Sequence, residues 1–263
     1  MYSFELVRPT TLAAASAALT SSGGKALAGG QSLLAAMKLR LAQPGTLVDL
    51  SGIAELKGIA RSADTVTIGA LATHTQVAES SVVREAIPAL AELAHGIGDR
   101  QVRNVGTLGG SIAHNDPAAC YPAALLALGA TIRTTARLIP ADEFFKGMYE
   151  TALGDGEIIT SVSFPIPRKA AYVKFANPAS RFALVGVFVA QTATGVRVAV
   201  TGAAPSVFRS KELETAFTRS FTADAAKAVT VSASGLNGDL HASPEYRAHL
   251  IPVLARRAVA AAG

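Results

Sequence analysis

Apolar residues along this chain alternate between a helical spacing and a strand-like one, and glycine, proline or small polar residues mark the changes. An alanine-rich segment following Thr10 and Thr11, either of which can cap it, predicts a helix to Ser21, stopped by Ser22-Gly23-Gly24. Lys25 to Ala28 reads as a short strand. Ser32 is placed to cap a second helix through Leu33, Leu34, Met37 and Leu41, closed by Pro44-Gly45. Thr46 to Leu50, Leu56 to Ala60 and Thr65 to Ile68 have strand character and are punctuated by Gly52, Gly58 and Ala63-Asp64. Thr73 is placed as a further cap. Val82 to Leu93 repeats apolar residues at helical spacing and ends near His95-Gly96.

In the second half, Asp116 as cap and Pro117 at the first helical position predict a helix through Cys120 and Tyr121 to Leu128, ended by Gly129. A strand begins at Thr131. Glu157 to Phe164 reads as another, closed by Pro165 and Pro167, the most evident linker signal in the chain. The domain boundary is expected between this pair and Asn177-Pro178, dividing residues 1–170 from 171–263. Beyond it, Phe182 to Gln191 and Val196 to Thr201 predict a hairpin around Thr194-Gly195. Two helices are expected to finish the chain. One comes after Thr222; the other, opened by Ser243-Pro244-Glu245, runs to Ala262 with a kink at Pro252.

Composition narrows the class. With 263 residues, 50% hydrophobic and 16% charged, the chain can bury a substantial core and is not disordered. The net charge of +5 is spread out, with no basic run longer than Arg256-Arg257, so a nucleic-acid face is not expected. The single cysteine, Cys120, excludes an internal disulfide and any cysteine-cluster metal or iron-sulfur site in this chain. Neither a secretory signal nor a stretch able to span a bilayer is visible; the longest apolar run, Ala123 to Ala130, is too short. A cytoplasmic location is the expectation.

Two stretches carry the candidate chemistry. Asn104 to Asp116 sets Gly106, Gly109 and Gly110 beside Thr107, Ser111, Asn115 and Asp116, and Leu27 to Leu34 sets Gly29-Gly30 beside Gln31 and Ser32. Both read as loops of low bulk whose amides can approach an anionic group, the Leu27 to Leu34 loop doing so at a helix N-terminus. Taken singly, a Gly-Gly reads first as a tight turn that binds nothing; together the two stretches suggest one extended ligand gripped at two points. Gly96-Ile97-Gly98 fails as a dinucleotide fingerprint, because Gln101 stands at the third glycine position and the motif follows a helix. There is no Walker loop, His-Glu-x-x-His pair or Gly-x-Ser-x-Gly elbow.

Ala28-Gly29-Gly30-Gln31-Ser32-Leu33 with Met37-Lys38-Leu39-Arg40, Gly69-Ala70 with Thr73-His74, and Asn104 to Ser111 with His114 and Asp116-Pro117 form an ordered set. To these are added Asp142 to Phe145, Gly156 to Ile159, Lys174-Phe175 and Phe182 to Gly186. The set resembles the FAD-binding medium subunit of the molybdenum hydroxylases, the carbon monoxide dehydrogenase and xanthine dehydrogenase family, over almost the whole chain. The resemblance implies an α+β fold: a two-lobed FAD-binding domain of the vanillyl-alcohol-oxidase or p-cresol-methylhydroxylase type, then a small C-terminal α+β domain. It implies FAD in this chain, with 2Fe-2S clusters in a small partner subunit and molybdopterin in a large one. The assembly would be a doubled heterotrimer delivering electrons to an external acceptor.

By the same resemblance the cofactor-binding residues are Ala28, Gly29, Gly30, Gln31, Ser32, Leu33, Ala70, Thr73, His74, Thr107, Gly109, Gly110, Ser111, Asn115, Asp116, Ile159 and Lys174. No catalytic or metal-ligating residue is implied. Asp116 is either a ligand to an FAD hydroxyl or amine, or a helix cap. Lys174 is either a cation beside the flavin carbonyls or a solvated strand residue. His74 and His114 either pack against FAD or are structural. Gln31 stands where several relatives carry histidine, and Cys120 where many carry aspartate. Two other functions remain open at this point: a self-sufficient flavin oxidoreductase on the same fold, and a flavin-free structural subunit whose glycine loops are only turns.

Overall fold

Strand β1 (Glu5–Val7), helix α1 (Leu12–Ser22), strand β2 (Lys25–Leu27), helix α2 (Leu33–Lys38) and strand β3 (Thr46–Asp49) open the computed structural model, which describes residues 1–262. The three strands form a parallel sheet in the order β1-β3-β2. Thr11 is the cap of α1, its hydroxyl accepting from the Ala14 amide, and Gly23 ends the helix in the left-handed region at φ 59°. Helix α1 buries Ala15 and Leu19 against Val48, Leu50, Ile53 and Leu56, the core of this first lobe. Helix α2 is shorter than the apolar spacing suggests. It stops at Lys38, and Arg40 turns to φ 62°, so Leu41 lies outside it.

The second lobe contains β4 (Ile59–Ser62), β5 (Thr65–Gly69), α3 (His74–Glu79), α4 (Ser81–Ala86), α5 (Pro88–His95), α6 (Arg100–Val105), α7 (Leu108–His114) and α8 (Tyr121–Leu128). It continues with β6 (Thr131–Thr134), β7 (Leu138–Pro140), α9 (Ala141–Phe144), the hairpin β8 (Phe145–Gly147) and β9 (Glu150–Thr151), and β10 (Ile159–Pro165). Its antiparallel sheet has the order β4-β5-β10-β6-β7. Thr73 completes a capping box with Gln76 at the start of α3.

Three expectations are corrected here. The helix expected over Val82 to Leu93 is two helices, because Pro88 has no N–H to continue α4 and instead opens α5 at its first position. The stretch expected to be a glycine loop is helical: Gly109 and Gly110 sit in the first turn of α7, capped by Thr107. The helix expected from Asp116 begins only at Tyr121, since the Asp116 carboxylate closes a local turn onto the Ala118 amide at 2.8 Å.

Past the proline pair, β11 (Lys169–Ala176), β12 (Ala183–Thr192), β13 (Gly195–Thr201) and β14 (Phe208–Arg209) form a third, antiparallel sheet, followed by α10 (Lys211–Arg219) and α11 (Pro244–Ala261). Strand β12 alternates its burial. Val185, Val187 and Val189, with Val198 and Val200 of β13, face α10 and α11, while Phe188, Ala190 and Ala199 join the core of the second lobe beside α8. Helix α10 has no counterpart in the expected elements, and Thr222 precedes only the short turn Ala223–Ala226. Pro252 lies inside α11, which runs across it unbroken. Among the described residues no helix is long and apolar enough to cross a membrane.

Candidate functional site

Where the two lobes meet the third sheet, the chain leaves a cleft of about 930 Å³. Its first wall is the turn from β2 into α2. Gly30 reaches this turn at φ 67°, a conformation that a side chain with Cβ disfavours. The amides of Gly29, Gly30, Gln31 and Ser32 find no acceptor among the described residues. Four successive donors at the entry to a helix form an anion cradle without a formal charge. The Ser32 side chain makes no capping bond, contrary to expectation, so its hydroxyl is also unengaged.

The second wall is α7. Thr107 accepts from the Gly110 amide at 3.1 Å, and the Gly109 amide donates to the Ala70 carbonyl at 2.8 Å, so neither glycine offers a free N–H in the way the loop reading implies. Their value here is closeness. A Cβ on Gly109 would stand 2.6 Å from that of Ala70, and one on Gly110 would stand 3.5 Å from that of Ala28. A Cβ on Gly29 would overlap the Val105 carbonyl oxygen. The first turn and the start of α7 therefore sit directly against one another, although they lie far apart in sequence.

Of the residues named from the resemblance, Ala28, Gly29, Gly30, Gln31, Ser32, Leu33, Ala70, His74, Thr107, Gly109, Gly110, Ser111, Asp116, Ile159 and Lys174 all line this cleft. Thr73 and Asn115 do not. Thr73 spends its hydroxyl on the cap of α3, accepting from the Gln76 amide at 3.2 Å. Asn115 is buried, with Nδ2 donating to the carbonyls of Gly147 and Glu150, both at 2.8 Å. The cleft also takes in Tyr149, Arg181 and Phe182, for which the sequence offered no site signal beyond Phe182's place in a motif.

His74 is 5% exposed and its Nδ1 has no hydrogen-bond partner among the described residues. Burial, with the Arg103 charge adding to it, lowers its pKa to about 4, so the imidazole is neutral at pH 7. Lys174 lines the cleft with its ammonium already engaged. Nζ donates to the carbonyls of Gly96 (2.7 Å) and Arg181 (3.0 Å) and lies 3.7 Å from Cys120 Sγ. Asp116 keeps one carboxylate oxygen on the Ala118 amide, which leaves its second free of protein partners.

The floor between the lobes is the segment Leu153 to Glu157. Glu157 accepts from Thr134 Oγ1 (2.6 Å), the Gly154 amide (2.7 Å), and Arg137 Nε (3.1 Å) and Nη2 (3.2 Å). Burial alone would raise its pKa, but these donors bring it down to about 2. Ser16 Oγ of α1 donates to the Gly156 carbonyl at 2.6 Å, tying this floor to the first lobe.

These features suit a dinucleotide. The volume is near the upper end of ordinary small-molecule sites, Gly29 and Gly30 put no side chain into the cradle, and an unpartnered ring nitrogen, His74 Nδ1, belongs to a residue lining the cleft. Residues 2–167 match the family described as the FAD binding domain in molybdopterin dehydrogenase. The chain is 37% identical to the carbon monoxide dehydrogenase medium chain of Hydrogenophaga pseudoflava, over 98% of this chain and 96% of that one. It is 36% identical to the nicotine 6-hydroxylase medium subunit of Paenarthrobacter nicotinovorans, covering 93% and 91% respectively. In structure it is similar to a carbon monoxide dehydrogenase from Hydrogenophaga pseudoflava that lacks the Mo-pyranopterin moiety of its cofactor (TM-score 0.90, 35% identity, 99% of this chain and 97% of that one). It is likewise similar to quinoline 2-oxidoreductase from Pseudomonas putida 86 (TM-score 0.89, 30% identity, 99% and 97%). The chain belongs to the FAD-binding medium subunits of the molybdenum hydroxylases, an oxidoreductase family.

Proposed function

We propose that the cleft holds FAD with its diphosphate on the amides of Gly29, Gly30, Gln31 and Ser32 and against the first turn of α7. The observation that carries this reading is the juxtaposition of four unengaged amides with the Val105-Gly106 backbone just ahead of α7, which leaves no space for a Cβ on Gly29. Bound FAD supplies a redox centre that exchanges electrons singly or in pairs. The chain's own task is to hold and tune it. Asp116 presents a free carboxylate oxygen to a hydroxyl or amine, and Lys174 places a positive charge at the end of the cleft nearest the third sheet.

In the same reading the electrons come from 2Fe-2S clusters of a small partner subunit, after substrate oxidation in a large molybdopterin subunit, and leave for an external acceptor. The lone cysteine supports this division, because a chain with Cys120 alone cannot ligate such clusters. The doubled heterotrimer, a reducing cytoplasmic compartment and a division of the chain near residue 170 belong to the same proposal. The last is supported by the change of sheet between β10 and β11.

The test is direct. The purified full chain should carry a flavin absorption spectrum, release FAD on heating, and lose it in Gly110→Asp, whose side chain enters the space between Thr107 and Ala28 and sets a carboxylate against the diphosphate. A colourless chain that takes up no added FAD would leave the Gly29-Gly30 turn and the glycines of α7 as packing features only. Substrate-dependent turnover by the isolated chain would favour the self-sufficient oxidoreductase.

A further inference from the structure

Asn115 leads to a residue that no motif identified. Its Nδ2 donates to the carbonyls of Gly147 and Glu150, and its own carbonyl accepts from the Tyr149 amide at 3.2 Å. These three bonds fix the turn between β8 and β9 from one buried side chain and its backbone. Both ends of the clamp lie in the left-handed region, Asn115 at φ 46° and Tyr149 at φ 58°. Asparagine tolerates this; a bulky aromatic residue rarely adopts it and keeps it only where its surroundings impose it.

The conformation presents the Tyr149 ring to the cleft. Its centroid lies 5.0 Å from that of His114, with the planes at 40°, and the residue is 56% exposed, outside every hydrophobic cluster of the fold. His114 lies one turn beyond Gly110 and Ser111 on α7, so the aromatic pair is about 6 Å further along the same helix as the cradle wall. Partial desolvation of the hydroxyl, with Asp116 beside it adding to the effect, raises the Tyr149 pKa and keeps the ring a neutral phenol.

The cleft has two chemically different ends. One is formed by the apolar side chains of Leu19, Ala26, Leu50, Leu56 and Ile158 with Lys25, Asp155 and Glu157 among them; the other carries Asp116, Cys120, Lys174 and Phe182. Tyr149 stands beside Asp116 and so belongs to the polar end. An isoalloxazine ring, with two carbonyls and ring nitrogens needing polar neighbours, suits that end, and adenine suits the other.

We propose that Tyr149 is a stacking wall for the isoalloxazine ring and that Asn115 is the positioning residue that holds it there. The inference rests on the FAD reading above and specifies which face of the cleft meets the flavin.

The full-length apo chain is titrated separately with FAD, FMN and ADP. Tyr149→Gly removes the ring and suits the left-handed backbone, so its apo Tm should match or exceed wild type. Its Kd for both FAD and FMN should rise about tenfold, the scale of one lost aromatic stack, while Tyr149→Phe stays within about twofold. Flavin fluorescence, quenched in the wild-type complex, should recover in Tyr149→Gly, and ADP affinity should not change. Asn115→Gly keeps the backbone conformation, removes the clamp, and should move flavin affinity and fluorescence in the same direction. Flavin binding and quenching identical to wild type in Tyr149→Gly would overturn the proposal. So would a weakening of ADP with flavin fluorescence unaltered, which would put adenine on this ring. A wild-type chain that binds neither FAD nor FMN overturns the FAD reading itself, and is told apart by failing before any variant is compared.

Discussion

His74 shows how a single side chain in the cleft ties the site to the stability of the fold. In the folded chain its pKa is about 4 against an ordinary value of 6.5, so between these values the unfolded state binds a proton that the folded state refuses. Stability is therefore unaffected by this group above pH 6.5 and falls as the pH drops toward 4. Over that window the loss should be roughly 2–3 kcal/mol. Urea denaturation at pH 7 and pH 4.5 should show it, and His74→Gln should flatten the dependence; an equally steep slope in the variant would assign the proton to another group. The neighbouring Thr107 makes a simpler case. Thr107→Ala removes the acceptor for the Gly110 amide and should lower stability by about 1 kcal/mol, with Thr107→Ser restoring most of it in the same assay. Both residues were identifiable from the sequence as members of motifs. Their physical roles were not, since a buried orphan nitrogen and a cap depend on what folds over them. Asn115 illustrates the same limit: its type and place in the motif suggested a ligand, whereas its side-chain hydrogen bonds both lead to a hairpin 32 to 35 residues further on.

At the scale of elements, the sequence was most legible where one local rule acts alone. Thr11 and Gly23 bound α1, Ser243 and Pro244 open α11, and the alternating valines of β12 and β13 pair in the register their pattern demands. It was least legible where two rules compete. Gly109-Gly110 argues for a loop, yet the Thr107 cap and packing against Ala70 carry the helix through both glycines, overriding propensity losses of about 1 kcal/mol each. The apolar period of Val82 to Leu93 argues for one helix, yet Pro88 divides it. The floor segment ending at Glu157 is an element held by polar contacts. Glu157→Gln keeps the shape but weakens the charge-assisted bonds to Arg137. Arg137 is 54% exposed and screened by solvent, so denaturant titration should show a small loss of stability. With the folded pKa near 2, the stabilisation by the native carboxylate is full above its unfolded value of 4.5 and is lost as the pH falls through 2. Acid sensitivity below pH 4 should therefore diminish in the variant, in the range below the His74 transition.

For the molecule as a whole, the question is whether the third sheet is an appendage or part of one cooperative unit. All of α8 from Tyr121 to Leu128 is buried, and its surroundings include Phe188, Ala190 and Ala199 from β12 and β13 as well as the second lobe. Polar contacts reinforce the seam. Arg197 of β13 donates through Nε to the Leu126 carbonyl (2.7 Å) and through Nη2 to both oxygens of Asp142 (2.7 Å each), and Thr201 Oγ1 donates to the Ala119 carbonyl (2.6 Å). A fragment ending near residue 170 would leave one side of α8 uncovered, even though the family match itself ends at residue 167. We expect the full chain to unfold in a single thermal transition, and a 1–170 fragment to bind a hydrophobic dye and to hold FAD more weakly than the full chain, whose third sheet supplies Lys174 and Phe182 to the cleft. Arg197→Ala, which removes the arginine's share of the polar seam without opening the apolar one, should lower Tm while leaving the transition single, at a cost of about 1–2 kcal/mol given the half-exposed Asp142. Two resolved transitions in the wild type, with the fragment as stable and as retentive of FAD as the full chain, would make the third sheet an independent domain that rests beside the flavin without helping to hold it.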